Sequence, residues 1–228
     1  MKPEERIKII IEHYPEVRDT AVRCLSGKRW NGNAVLMVID AAFTSIGVNY
    51  FTLVVPKVRE FRETYLEKFT GFEELSMLYY DEVAWLWKNK RSWKVVCGIA
   101  SKLSEIKKIE KVNDLQALSL WASGVEIEHW EKDTIGRLNG IGINTLQYLR
   151  MMGGVDTAMP DKIVRRFIGK IVDDPEEVFV MDNIKLIKKV QILAEKAEIS
   201  SVEMCFLAWI EQYREKKGEK YAELMRSI

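Results

Sequence analysis

Two glycines and a distant aspartate carry the clearest chemical signal in this chain. Gly140-Ile141-Gly142 lies between two stretches of helical periodicity, and Asp161 follows nineteen residues after Gly142. Glycine adopts positive φ and leaves its amide uncovered, so such a turn can close tightly and expose backbone donors. The helix expected from about Ile143 would begin with amides that lack an intrahelical acceptor, at the positive end of its dipole, where a phosphate oxygen binds well. A grip of that kind positions a phosphodiester backbone and reads no base. Asp161 opens a second helix, Asp161 to Val172, whose apolar residues Ile163, Val164, Phe167, Ile168 and Ile171 share one face. Aspartate is a common N-cap, and a capping carboxylate can still face a cleft and act on what is bound there. The plainer readings stand beside these: the glycines only close a helical hairpin, and Asp161 only caps.

The elements around this segment are almost all helical by pattern, with apolar residues three and four apart. Ile7, Ile10, Ile11 and Tyr14 begin the series, and Asn33 is placed to cap a helix from Ala34 to Gly47 that is apolar all round. Pro56 suits the first turn of a helix running to Phe69. Further helices are expected over Phe72–Leu78, Asp81–Asn89, Trp93–Ile109, Asp114–Ala122, Glu128–Leu138, Ile143–Met152, Asp182–Ala197, Ser201–Lys217 and Tyr221–Ser227. Val54 and Val55 could form a short strand, but the expected class is all-α. Residues 72–172 are expected to form a central lobe, with 1–71 and 173–228 joined as a second lobe and a ligand cleft between them.

Composition narrows the class further. With 47% hydrophobic residues in 228, the chain can bury a substantial core, and five prolines with 13 glycines leave no room for a long low-complexity linker. Lys+Arg 35 against Asp+Glu 34 gives a net charge of +1, so total charge does not announce a nucleic-acid binder. The distribution is more informative. Arg137, Arg150, Lys162, Arg165, Arg166 and Lys170 surround the hairpin, opposed within that segment by Asp156 and Asp161 alone. Cys24, Cys97 and Cys205 form no CxxC pair and cannot by themselves ligate a four-cysteine cluster, which argues against a disulfide framework, a structural zinc or an iron–sulfur centre. The isolated His13 and His129 support no metal site. The N-terminus lacks a signal-peptide core, and no apolar run approaches the roughly 18–20 residues that span a bilayer. A cytoplasmic protein without a membrane partner is expected, nucleoid-associated if prokaryotic.

Leu138-Asn139-Gly140-Ile141-Gly142 followed by Asp161, Val164 and Arg166 resembles the helix-hairpin-helix base-excision DNA glycosylases, the superfamily of endonuclease III and of the adenine mismatch, 8-oxoguanine and alkylpurine glycosylases. Its pattern is Leu-x-Gly-[Val/Ile]-Gly, then after roughly 18–20 residues an Asp with an aliphatic residue at plus three and often Arg at plus five. The resemblance covers Thr134 to Phe167, with a weaker echo at Ala41 to Tyr50. It implies a two-lobed helical fold, double-stranded DNA containing a damaged base as partner, Asp161 as catalytic carboxylate, and backbone contact by Leu138, Asn139, Gly140, Ile141, Gly142, Asn144, Thr145 and Arg166. Val155-Asp156-Thr157 mimics the catalytic surroundings in several relatives, but Asp156 lies only fourteen residues after Gly142 and has an acid, not a base, five positions on.

Relatives that also cut the strand carry a lysine two residues after the second glycine, where this chain has Asn144. An amide cannot form the required Schiff base, and no lysine occurs between Asp133 and Pro160. The resemblance therefore implies a monofunctional glycosylase, monomeric and without a cofactor, that leaves an abasic site. Tyr148, one turn after Asn144, corresponds to a pocket tyrosine of the alkylpurine branch, and with Asn144 it makes alkylated purines the first expectation and oxidised or mismatched bases the second. The other readings are a non-catalytic helix-hairpin-helix DNA-binding protein and an all-α interaction protein.

Overall fold

Short polar side chains decide where half of the helices start. In a computed structural model that describes residues 1–213, 218–226 and 228, the order is α1 (Pro3–Glu12), α2 (Glu16–Leu25), α3 (Ala34–Thr44), α4 (Val55–Tyr65), α5 (Phe72–Ser76), α6 (Tyr80–Val83), α7 (Lys90–Glu110), α8 (Asp114–Gly124), α9 (Ile143–Met152), α10 (Lys162–Ile171), α11 (Pro175–Val180), α12 (Asn183–Ala197), α13 (Ser201–Glu211) and α14 (Gly218–Arg226). Asn33, Asn89, Asn113, Asp161, Asp174, Asp182 and Ser200 each accept a first-turn amide, which satisfies a donor the helix leaves unpaired. Among the described residues there is no strand, and the all-α class holds. Residues 214–217 of the expected Ser201–Lys217 helix lie outside the described residues, as does Ser227.

Three expected elements differ. Val54 and Val55 fall in a π-helical turn, Tyr50–Val54, and the first residue of α4, because Asn49 caps the turn at Thr52 and Pro56 continues it as helix. The stretch expected as an Asp81–Asn89 helix keeps only α6 and then turns. The Glu128–Leu138 helix is absent; a 3-10 segment, Ile127–Lys132, gives way to successive turns. Asp133 is the cause: its Oδ1 accepts Ile135 N at 2.8 Å and Gly136 N at 2.9 Å, which starts a new turn where a helix would continue. Gly136 also passes so close to the Trp130 carbonyl that a Cβ would lie 1.9 Å from its oxygen.

α3 is buried from Ala34 to Phe43 and packs against α4, α7, α8 and α9, so its all-round apolar sequence reflects a helix at the centre of the protein. α13 is the second buried rod, packed against α2, α10, α12 and α14. α10 lies on α1, α11 and α13, while α9 lies on α2, α3 and α8. The packing thus crosses the division expected at residues 72 and 172: α3 sits with the central helices, and α10 with the terminal ones. The starts of α9 and α10 line one cavity where those two groups adjoin.

Candidate active site

The two hairpin glycines have different physical jobs. Gly140 has φ +105°, and a Cβ there would lie 2.8 Å from Val95 Cγ2 and 3.1 Å from Arg91 Nε, so neither the conformation nor the space admits a side chain. Gly142 has φ −111° with open space beside it, a backbone any residue adopts. Its contribution is what it leaves uncovered, since α9 begins without a side-chain cap while most other helices have one. Gly140→Ala should therefore lower stability by about 1–3 kcal/mol through strain and overpacking. Gly142→Ala should change it by less than about 0.5 kcal/mol. Chemical denaturation of both variants checks the contrast, and equal losses would contradict it.

Asp161 caps α10 with one oxygen and points the other elsewhere. Oδ1 accepts Ile163 N at 2.8 Å and Val164 N at 2.7 Å, whereas Oδ2 accepts the indole N–H of Trp209 at 2.9 Å. The carboxyl is half-buried, and burial raises its pKa above the ordinary carboxylate value; the Val164 amide, Trp209, the Ile163 amide and Arg166 oppose that rise. Asp156, by contrast, is exposed and caps α13 through Val202 N at 3.1 Å.

A cavity of about 730 Å³ opens over Asp161, within the range of small-molecule sites. Gly142, Asn144, Thr145 and Tyr148 supply the α9 wall; Asp161, Lys162, Ile163 and Arg166 supply the α10 wall. The loop after α3, from Ser45 through Phe51 apart from Ile46, forms a third side, and Trp209, Gln212 and Tyr213 close the fourth. Leu138, Asn139, Gly140 and Ile141 are outside it, at the hairpin before α9. Thr145 is buried, and Tyr148 is only 1% exposed, so little of its ring faces open space. Tyr50, half-buried, offers more.

Behind the aromatic wall is a charged cluster. Asp40 Oδ2 accepts Trp30 Nε1 at 2.7 Å and the hydroxyls of Tyr50 and Tyr148 at 3.0 Å each, with Arg29 Nε 3.9 Å away. Arg29 Nη2 in turn donates to both tyrosine oxygens. Asp40 and Arg29 are 0% and 1% exposed. Burial raises the pKa of Asp40, against the pull of Arg29 and the three hydrogen bonds, while the guanidinium of Arg29 stays protonated. Burial likewise raises the pKa of the Tyr50 and Tyr148 hydroxyls, which keeps both protonated.

The basic residues around the hairpin divide into two kinds. Arg150 is buried and holds Ala122 O and Gln147 Oε1, and Arg165 donates to Val178 O, Met181 O and Asn183 Oδ1; these are structural. Arg137, Lys162, Arg166 and Lys170 are exposed. Trp209, Tyr213, Tyr50 and the Asp40–Arg29 pair were not singled out by sequence reasoning. The weak echo at Ala41–Tyr50 pointed toward the loop and Tyr50, but Trp209 had no signal separating it from six other tryptophans. Among the described residues, no group of three His, Cys, Asp or Glu is arranged to hold a metal ion, and no helix is long and apolar enough to cross a membrane.

Fold and site together define an all-α protein with an aromatic-walled cavity over a helix-capping carboxylate. Comparison with protein-family models, with curated proteins and with solved structures gives no match.

Proposed function

We propose that this protein is a DNA glycosylase that hydrolyses the bond between a damaged base and its sugar in duplex DNA and leaves the strand intact. One observation carries the reading: the uncapped start of α9, at Gly142, Asn144 and Thr145, shares a cavity with Asp161 and Arg166. In this reading the cavity is the cleft of a two-lobed helix-hairpin-helix glycosylase. The α9 amides and Arg166 hold phosphates, and the target nucleotide turns out of the duplex into the cavity. The ionised Asp161 stabilises positive charge as the N-glycosidic bond breaks. Water then bonds to the sugar carbon, one of its protons goes to solvent, and the base leaves with the bonding pair. The carboxylate is the reactive form, so base release should rise with pH through the raised titration of Asp161 and then level off.

Alkylated purines are the first substrates to test, with oxidised and mismatched bases next. A base that already carries positive charge departs without an added proton and favours aromatic faces; Tyr50 and Tyr213, both half-buried, supply such faces. Asn144 lines the cavity where a nucleophilic lysine would be needed, and the amine that does line it belongs to Lys162. Lesion-bearing duplexes should therefore show breaks only after alkali, with no covalent adduct on borohydride treatment. Cleavage before alkali or a trapped adduct would assign the chemistry to Lys162. Tight duplex binding without release from any lesion would mark a DNA-binding protein without turnover.

A further inference from the structure

We propose that Trp209 is a positioning residue for Asp161: its indole N–H fixes the Oδ2 atom, and so determines which lone pair of the carboxylate faces the cavity. Oδ1 is committed to two backbone amides, so only Oδ2 remains to meet a ligand or a water. With no further constraint, the carboxylate could tilt about its bond while Oδ1 kept those contacts. Trp209 supplies the constraint from α13, forty-eight residues away in sequence, with Nε1 2.9 Å from Oδ2.

Trp209 is itself held. It is 7% exposed, its ring meets Tyr148 edge to face at 5.8 Å and 83°, and it packs on Phe206 at 5.3 Å. Tyr148 is in turn anchored on Asp40 and Arg29. The indole therefore carries the rigidity of the buried cluster to the one carboxylate oxygen that the cap leaves free, a support from behind of the kind a reactive group needs. The donor is neutral and cannot take Asp161's proton, so its effect is to orient the group and to favour the charged form. Other titratable or charged groups around Asp161 are Lys162 and Arg166 on α10, Tyr148 on α9, Tyr50 on the loop after α3, and Cys205 and Tyr213 from α13 and its end.

Two spectroscopic measurements test this without reference to activity. In the native chain, the Trp209 indole N–H resonance should move with pH at the titration midpoint of Asp161, and that movement should vanish in Asp161→Asn. In protein labelled with 13C-aspartate, with Asp161 assigned by its loss in Asp161→Asn, Trp209→Phe should move the Asp161 midpoint to higher pH. Trp121→Phe, which removes an indole bonded to Asp133, should leave it in place. An indole resonance blind to Asp161, or an unmoved midpoint in folded Trp209→Phe, overturns the proposal. The kinetic arm rests on the glycosylase reading: single-turnover base release by Trp209→Phe should fall roughly 10- to 100-fold, as for a lost hydrogen bond to a charged group, with duplex affinity unchanged. If the native chain releases no base while both spectroscopic results hold, the glycosylase reading fails and the positioning role stands.

Discussion

Asp161→Asn is expected to reduce single-turnover base release by about 10²- to 10³-fold, the range for removing one electrostatic contact to a charged transition state, while the chain stays folded. Asparagine is as good an N-cap as aspartate, so its carbonyl can keep the Ile163 and Val164 amides. Its amide nitrogen must then face the Trp209 N–H, donor against donor, and no negative charge reaches the cavity. Stability supplies a second readout with its own sign. Because burial raises the folded-state pKa of Asp161, both states hold the proton well below the unfolded value of about 3.9, and the group contributes no difference there. As pH rises past that value the unfolded chain releases its proton first, so native stability falls relative to the variant until pH exceeds the folded pKa, and is constant beyond it. Denaturation midpoints of the native chain and Asp161→Asn across this window should diverge in that direction. Parallel curves would show that Asp161 titrates as in the unfolded chain, and undiminished release would remove it from the chemistry.

Local signals made much of this site legible. Pro160-Asp161 before a run with one apolar face marked α10 and its cap, and the Ile143 start of α9 followed from the glycines. Those features depend on residues within a few positions of one another. Where sequence reasoning stopped, the cause was distance or competition. Trp209 reaches Asp161 only because α13 packs on α10, and no periodicity reports that. The helix expected before the hairpin lost to Asp133, whose side chain captures two amides and redirects the chain. Basic residues in a row looked alike by charge, yet Arg150 and Arg165 hold carbonyls inside the protein while Arg137 and Arg166 remain exposed.

Arg29→Met should cost about 3–5 kcal/mol, the range for breaking a buried ion pair, against total stabilities of roughly 5–15 kcal/mol. The change leaves Asp40 in a fully buried site without its cation and takes a donor from the hydroxyls of Tyr50 and Tyr148. Asp40→Asn errs the other way, leaving Arg29 charged and uncompensated while an oxygen remains for the indole of Trp30. Once one charge is gone, removing the other relieves its desolvation, so the double variant should lose less than the sum of the singles, by more than about 0.5 kcal/mol. Additive losses would show the two groups to be independent. Trp30 and Asn31 adopt φ of 51° and 55°, a left-handed conformation that costs a bulky residue energy, and it brings the Trp30 indole onto Asp40. The cluster thus joins the turn before α3, α3 itself, the loop after it and α9 at a single carboxylate oxygen. Weakening it should loosen the Tyr50 wall against the start of α9, which makes folded Arg29→Lys informative: reduced base release without reduced duplex binding would locate the effect in the cavity wall rather than in the hairpin.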